Sequence, residues 1–431
     1  MDFGSGNPNH SKATQYQYEA LFKKCYMHIT ILYYLDIILI LYKKYFYLFL
    51  TMSDDELNLI DNATSRMSVR SRFQEIARQN TSNSQSSNLD SDKYLADLLK
   101  VLQIKSLVVG VGGAGNNTVS RMQDLGSKFI ETLNVNTDAH DLYYSNAKQK
   151  VLIGKTTCSG LGSGNDPHIG KEAAEEDADR LSQVLNADVI FITFGLGGGT
   201  GTGAAPIVAR EAKKNDATVV SFCSIPFASE GKERLLRAQK GLNELLKYTD
   251  TLIPIPNDNL LRFNQKLPIL TGFKIMDEVL IRSINEIINL INNCGLINID
   301  YADVKKVLEK KGDYPSGLIG ITESLGEDKD LVRKAKLALH NPLLELKAEK
   351  VDRCIVSVSG DHQLSLSKID KIVSAISHEI PEDATLKFGT ALNPMLGSKV
   401  RIMALGRGPI SPYVQAAADG TQFPQPNLSS F

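Results

Sequence analysis

The sequence predicts an α/β fold: a doubly wound, mostly parallel sheet, a long central helix, and a smaller α+β C-terminal domain. Three observations carry this reading. Between residues 104 and 256, short apolar runs alternate with helical patterns, as βαβ units require. Two of the joints between strand and helix are crowded with glycine, GVGGAGNN (110–117) and GLGGGTGTGAAP (195–206). FKIMDEVLIRSINEIINLINN (273–293) repeats apolar residues at three- and four-residue spacing, which makes it one long helix.

At 431 residues the chain has room for two or three domains. A hydrophobic content of 42% with 23% charged residues is that of a soluble globular protein. The formal net charge of -1 leaves no electrostatic footprint for nucleic acid. The 5 cysteines, Cys25, Cys158, Cys223, Cys294 and Cys354, are scattered and form no CxxC pair, so they read as reduced thiols of a cytoplasm. The 7 histidines form neither HxxxH nor HExxH, which leaves zinc with little support and any metal ligands unknown.

Residues 1–51 form an atypical extension. CYMHITILYYLDIILILYKKYFYLFL (25–50) is apolar and aromatic, but Asp36, Lys43 and Lys44 interrupt it, and its uncharged stretches fall short of a bilayer span. A membrane-attached segment, a buried or mobile extension and an unnatural upstream segment all compete for it. The last is favoured, because MSDDELNLIDNATSRM from Met52 looks like an ordinary soluble N-terminus. Residues 52–100 then form a Ser- and Asn-rich linker and the start of a helix, SDKYLADLLKVLQ (91–103).

The strands follow in order. IKSLVVGV (104–111) is a buried strand, with a glycine loop and the helix NNTVSRMQDL after it. FIETLNVNT is the second strand, and PHIGKEAAEEDADRLSQVL (167–185) is one long helix. ADVIFITF (187–194) leads into the second glycine loop, with a helix expected near Ala204. TVVSFCSI (218–225) and TLIPIP (251–256) flank the helix ERLLRAQKGLNELLKY. Beyond residue 300, strands are expected near GLIGITES, CIVSVSG and KVRIMALG, with two helical segments between them. The tail, 407–431, lacks periodicity and is expected to be mobile.

Sheets of this kind bind ligands at the carboxyl ends of their strands, where the glycine loops fall. Gly110, Gly112 and Gly115 satisfy G-x-G-x-x-G, and Asp138 follows the next strand. Alone, that pair would suit an NAD-dependent dehydrogenase. A dehydrogenase does not explain a second, denser loop. In GGGTGTG the bare backbone can wrap an anion with its N–H groups, the following helix adds unpaired amides, and Thr200 and Thr202 offer hydroxyls. IGKTT (153–157) imitates the end of a Walker A loop, but Gln149 stands where its first glycine belongs, so it reads as an ordinary strand end.

GLGGGTGTGAAP resembles the signature loop of the tubulin and FtsZ superfamily of polymerising GTPases. The order of motifs from about 101 to 406 is similar to the FtsZ family, in wording closest to archaeal forms. VGVGGAGNN, NTDAHDL (136–142), GLGSGNDPHIG (160–170), PFASEGKER (226–234), PNDNLL (256–261), FKIMDEVL (273–280) and GLINIDYADV (295–304) carry the likeness. The resemblance implies a GTP-binding domain over 101–271, a central helix over 272–294, and a C-terminal domain over 295–406 that opens with a catalytic loop.

It further implies that Gly112, Gly113, Ala114, Gly115, Asn116 and Asn117 hold phosphates together with Gly197, Gly198, Gly199, Thr200, Gly201, Thr202 and Gly203. Asn136, Asp138, Gly162, Gly164 and Asn257 complete the nucleotide site, Glu230 bonds the ribose with Arg234 nearby, and Phe273 stacks on the base. Asp277 would read guanine, since a carboxylate accepts from adjacent N1–H and N2–H donors but meets only a bare acceptor at N1 of adenine. Asp300 and Asp303, three residues apart, would polarise water at the neighbouring subunit's γ-phosphate, with Asn298 orienting it. Both acids are also good helix N-caps.

The implied protein is a cytoplasmic GTPase of cell division that forms head-to-tail homopolymers at mid-cell, using GTP with Mg2+. Its further partners would be membrane-adaptor and division proteins reached through the C-terminal tail. A tubulin-like paralogue that controls cell shape is the alternative. Departures from the family are Ile225 where many relatives have Lys, Lys305–Lys306 where Arg-Thr is common, and an extended loop at GDYPSG (312–317).

Overall fold

Six strands, β1 (Ser106–Val111), β2 (Glu131–Asn136), β3 (Gln149–Leu152), β4 (Val189–Gly195), β5 (Thr218–Ile225) and β6 (Thr251–Pro256), form an all-parallel sheet in the order β3-β2-β1-β4-β5-β6. The structure is a computed structural model that describes residues 104–127, 130–262, 268–292, 295–310, 312, 314–341, 343–344, 346, 348–362 and 364–424. The extension at 1–51, the linker and helix expected over 52–103, and the last residues of the tail lie outside the described residues. β4 reads VIFITFG without alternation because helices cover both faces of the sheet, as parallel strands require. The order reverses between β1 and β4, which pair from Ser106↔Val189 to Val111↔Phe194. Both glycine loops therefore open at one switch point.

Helices α1 (Gly112–Asp124), α2 (Ala139–Tyr144), α3 (Pro167–Glu176), α4 (Ala178–Val184), α5 (Thr200–Lys214) and α6 (Lys232–Leu245) connect these strands. α7 (Ile269–Asn292) runs 24 residues to the second sheet, starting four residues before the apolar pattern suggested. That sheet has strands β7 (Gly317–Ser324), β8 (Arg353–Gly360), β9 (Thr385–Leu392) and β10 (Val400–Arg407) in the order β7-β10-β8-β9. With it go α8 (Tyr301–Leu308), α9 (Asp328–Leu339) and α10 (Leu366–Ser377), whereas α11 (Pro412–Asp419) returns to the core of the first sheet, where Gln239 of α6 donates to the Ala416 carbonyl at 3.3 Å.

Four expectations are corrected. α1 begins on Gly112 and α5 on Thr200, so each glycine loop is itself the first turn of its helix. The helix expected over 167–185 is broken at Asp177 (φ -106°, ψ 19°), whose carboxylate leaves the helical register to accept the Gly154 N–H at 2.8 Å. β9 was not anticipated: its residues are mostly half-buried or exposed, and TLKFGTAL lacks the apolar run of its neighbours. The segment expected to be mobile holds α11, started by the Ser411 cap and Pro412, with Tyr413, Val414, Ala416 and Ala417 buried and Phe423 edge-on to Tyr413 at 5.3 Å.

The central helix is tied to the second sheet by charge. Arg401 on β10 donates to Glu286 on α7 at 2.5 Å and to Glu323 on β7 at 2.9 Å, and the Glu286 side chain is only 7% exposed. Arg401→Leu strands that buried carboxylate, so unfolding should become about 3 kcal/mol easier. Thermal or urea melting will show it, and an unchanged midpoint would mean the pair holds nothing.

Candidate active site

At the carboxyl ends of β1 and β4, the starts of α1 and α5 meet so closely that a Cβ on Gly112 (φ +70°) would lie 2.9 Å from the Gly201 nitrogen. Here a crevice of about 460 Å³ opens, lined by Gly112, Gly113, Ala114, Gly198, Gly199, Thr200 and Gly201 from these two helix starts. Asn136, Asp138, Gly162 and Gly164 line its far wall. Gly199 stands at the N-cap of α5 without a side-chain cap, so the first-turn amides have no acceptor there. Two convergent helix N-termini with free amides make an anion site. The loop 160–166 threads past them with Gly160, Gly162, Gly164 and Asn165 all at positive φ, a path that glycine takes without strain.

Not every expected residue reaches the crevice. Gly115 is a packing residue: a Cβ there would stand 2.1 Å from the Thr193 carbonyl of β4. Gly203 likewise admits α3, since its Cβ would meet the Pro167 carbonyl at 2.0 Å. Gly197 (φ +87°) turns the chain against Pro226 and Arg234. Thr202 is buried against Gly241 of α6, and its hydroxyl has no hydrogen-bond partner among the described residues. Thr200 does face the crevice, but its hydroxyl already bonds Thr137 at 2.6 Å and Ser163 at 3.0 Å. Asn116 is buried, its amide oriented to donate to the Gly110 and Gly112 carbonyls at 2.9 and 3.2 Å and to accept from Asn136 at 3.1 Å. Asn117 is exposed and outside the lining.

Asp138 lines the crevice, yet its carboxylate caps α2 by accepting from the His140 and Asp141 amides at 2.9 and 3.0 Å. Both bonds fall on Oδ1, so the carboxylate has a structural role at the start of α2. Residues that the sequence reading missed include Asp141, Thr137, Ser163 and Asn165, all in the lining. Asp141 stands within NTDAHDL, where its place on the first turn of α2 was the available signal.

The other end of the crevice combines an aromatic ring with charged and amide side chains. Phe273, at the start of α7, is 40% exposed and lies 6.3 Å from Phe227, ring centre to ring centre. Glu230 accepts the Phe227 N–H at 2.8 Å and pairs with Arg234 at 2.8 Å. Asn257 is buried, and its side-chain oxygen lacks any partner among the described residues, an acceptor left for a ligand's donor. Asp277 is not in the lining; it sits one turn behind Phe273, where Thr118 donates to its Oδ1 at 2.7 Å. Burial pushes its carboxyl above the ordinary range, against the opposing pull of Thr118 and Arg121.

The acidic loop lies elsewhere. Tyr301 at its end reaches Thr218, the first residue of β5, at 3.4 Å and the Asp188 carbonyl just ahead of β4 at 3.4 Å. Burial pushes the Tyr301 phenol up to about 12. Asp300 occupies the N-cap position of α8, but its side chain makes no cap hydrogen bond, so capping does not explain it. Asn298 spends its side-chain oxygen on the Gly295 N–H at 2.5 Å, which shapes the loop. The acids are thus at the amino ends of the strands, and the crevice is at the carboxyl ends. Along the eight residues of β5 that separation is about 25 Å.

A switch-point phosphate crevice, a long helix that leaves it, and a second sheet beyond together define the tubulin class of nucleotide-binding protein. The "Tubulin/FtsZ family, GTPase domain" model matches residues 105–265, and the "FtsZ family, C-terminal domain" model matches 316–408. Cell division protein FtsZ of Methanothermobacter thermautotrophicus is 38% identical over 350 residues, covering 81% of this chain and 91% of that protein. A solved FtsZ dimer from M. jannaschii superposes with a TM-score of 0.67 at 38% identity, over 75% of this chain and 93% of that one. CetZ2 from Haloferax volcanii, at 20% identity and a TM-score of 0.62 over 74% of this chain and 97% of its own, shares the fold alone. The chain belongs to the FtsZ family. It is a GTPase, with GTP and GDP as its nucleotides.

The division of labour among the glycines is testable. Gly115→Ala drives a Cβ into the Thr193 carbonyl and should cost about 2 kcal/mol of stability. Gly198→Ala meets nothing closer than 3.8 Å, so it should melt like the parent. Facing the crevice, it should instead weaken GTP binding about tenfold, or 1.4 kcal/mol. Melting curves with GTP titrations separate the two, and equal effects from both would refute the assignment.

Proposed function

We propose that this protein is a cell-division GTPase that assembles head to tail in the cytoplasm at mid-cell and hydrolyses GTP between adjacent subunits. The observation that supports this is the separation of crevice and acids. A carboxylate about 25 Å from the phosphates of its own subunit cannot orient water there. Presented by one subunit to the next, Asp300 and Asp303 can act on the neighbour's γ-phosphate while the helix-start amides hold the triphosphate charge. A contact between unlike ends does not close on itself, so repetition yields a filament. Relatives at 38% and 40% identity, covered over 91% and 93% of their length, carry the name cell division protein, which supports the division role.

Within the site, the first-turn amides of α1 and α5 would bind phosphate, Glu230 and Arg234 the ribose, and Phe273 the base. Asn257 and Asp277 would accept from guanine, with Thr118 fixing the Asp277 carboxylate. The lining fits magnesium: the Asp141 carboxylate overlooks Gly113, so a triphosphate held there stands beside a negative charge and calls for a cation between them. Magnesium carried on the phosphate oxygens would supply that charge, and no protein ligand is assigned to it. No helix among the described residues is long and apolar enough to cross a membrane. Membrane-adaptor and division proteins would be its further partners, with the C-terminal tail as their contact.

GTPase activity per subunit should rise steeply above a threshold protein concentration, and Asp303→Ala should abolish it while leaving GTP affinity of the isolated subunit unchanged. Diluted subunits that turn over GTP as fast as concentrated ones would overturn the shared site. Asp277→Ala should cut the preference for GTP over ATP by roughly 1.5–3 kcal/mol, the value of a hydrogen bond to a charged group. Competition binding measures it, and unchanged selectivity would move base recognition elsewhere.

A further inference from the structure

One carboxylate of the acidic loop is already engaged inside its own subunit. Lys387 donates from Nζ to Asp303 Oδ2 at 2.6 Å, across 84 residues of sequence. The Asp303 side chain is 17% exposed and that of Lys387 50%, so the contact sits at the surface with the carboxylate inside. The lysine belongs to β9, the strand that carries the loop. Leu296 donates to the Thr390 carbonyl at 2.8 Å, and Thr390 donates back to the Ile297 carbonyl at 3.0 Å. The seam is tight: a Cβ on Gly295 would stand 2.0 Å from the Thr390 carbonyl, and one on Gly389 would meet Ile299 at 2.9 Å. β9 thus fixes the loop by its backbone and Asp303 by a side chain.

We propose that Lys387 is a positioning residue for GTP hydrolysis, acting through Asp303. Its ammonium holds one carboxylate oxygen, which aims the other, Oδ1, outward to the water at the neighbour's γ-phosphate. It also offsets one of the two negative charges, Asp300 and Asp303, that the loop brings toward a triphosphate, where like charges repel. The inference rests on the reading that Asp303 acts on the neighbouring subunit's nucleotide. A lysine on an edge strand also discourages unwanted strand pairing, but that role is indifferent to where its ammonium ends. As a half-exposed ion pair it adds only about 0–1 kcal/mol to folding.

The test uses the full chain with GTP and magnesium, well above the assembly threshold. It measures hydrolysis per sedimented subunit for the parent, Lys387→Met, Lys387→Arg and Asp303→Asn. Lys387→Met should lower turnover in the filament about tenfold, the scale of a misaimed catalytic group, with KM for GTP and the melting temperature close to the parent's. Lys387→Arg, which keeps the charge and reach, should recover most of the rate. Parent-like turnover in Lys387→Met, or Lys387→Arg as slow as Lys387→Met, would overturn the positioning role. Asp303→Asn separates the two layers: if its filaments hydrolyse GTP at the parent rate, the reading of Asp303 fails and this inference with it. If Asp303→Asn is inactive while Lys387→Met matches the parent, only the inference fails.

Discussion

A parallel sheet has two unlike ends, and this molecule places its anion crevice at one and its acidic loop at the other. The carboxyl ends of β1 and β4 release the chain into two helices whose starts nearly touch, and an anion site follows from that meeting. The amino ends of β4 and β5 receive the loop with Asp300 and Asp303 through Tyr301. Strands do not compress, so eight residues of β5 keep the halves apart in every conformation the sheet allows. A single subunit therefore binds nucleotide without bringing its own acids to it.

What fixes the acids is the second sheet more than the first. The loop is stitched to β9 by paired backbone hydrogen bonds, and β9 pairs in turn with β8 over eight residues. The sheet is held to α7 by Arg401, Glu286 and Glu323, and α7 carries Phe273 at the edge of the crevice. One helix thus touches the nucleotide end and the acid-bearing sheet. Whatever shifts α7 along its axis shifts the acids relative to the crevice, because the buried Glu286 cannot part from Arg401 without leaving a charge unpaired.

Much of this was legible in the residues. Strand runs such as ADVIFITF announce themselves because both faces are covered. The glycine loops were legible as an anion site, and their flanking patterns located it at the strand ends. β9 was not: a half-exposed edge strand with a lysine in it has no apolar run to read. α11 was missed because its buried residues, 413, 414, 416 and 417, span only one turn after two prolines. The break at Asp177 depends on a partner 23 residues away, which local patterning cannot see.

The glycines show most clearly where reading by motif stops. A dense run in a phosphate loop suggests that each glycine faces the ligand, yet Gly115 and Gly203 face neighbouring backbone at about 2 Å from a built Cβ. These packing glycines let α1 and α3 press against β4 and α5, and that contact holds the helix-start amides in place before any nucleotide arrives. The hydroxyls of Thr137, Ser163 and Thr200, bonded to one another, stiffen the same wall. Donors fixed in advance stabilise a bound anion without the cost of ordering themselves. The residues that never touch the phosphates are therefore as much a part of the site as those that do.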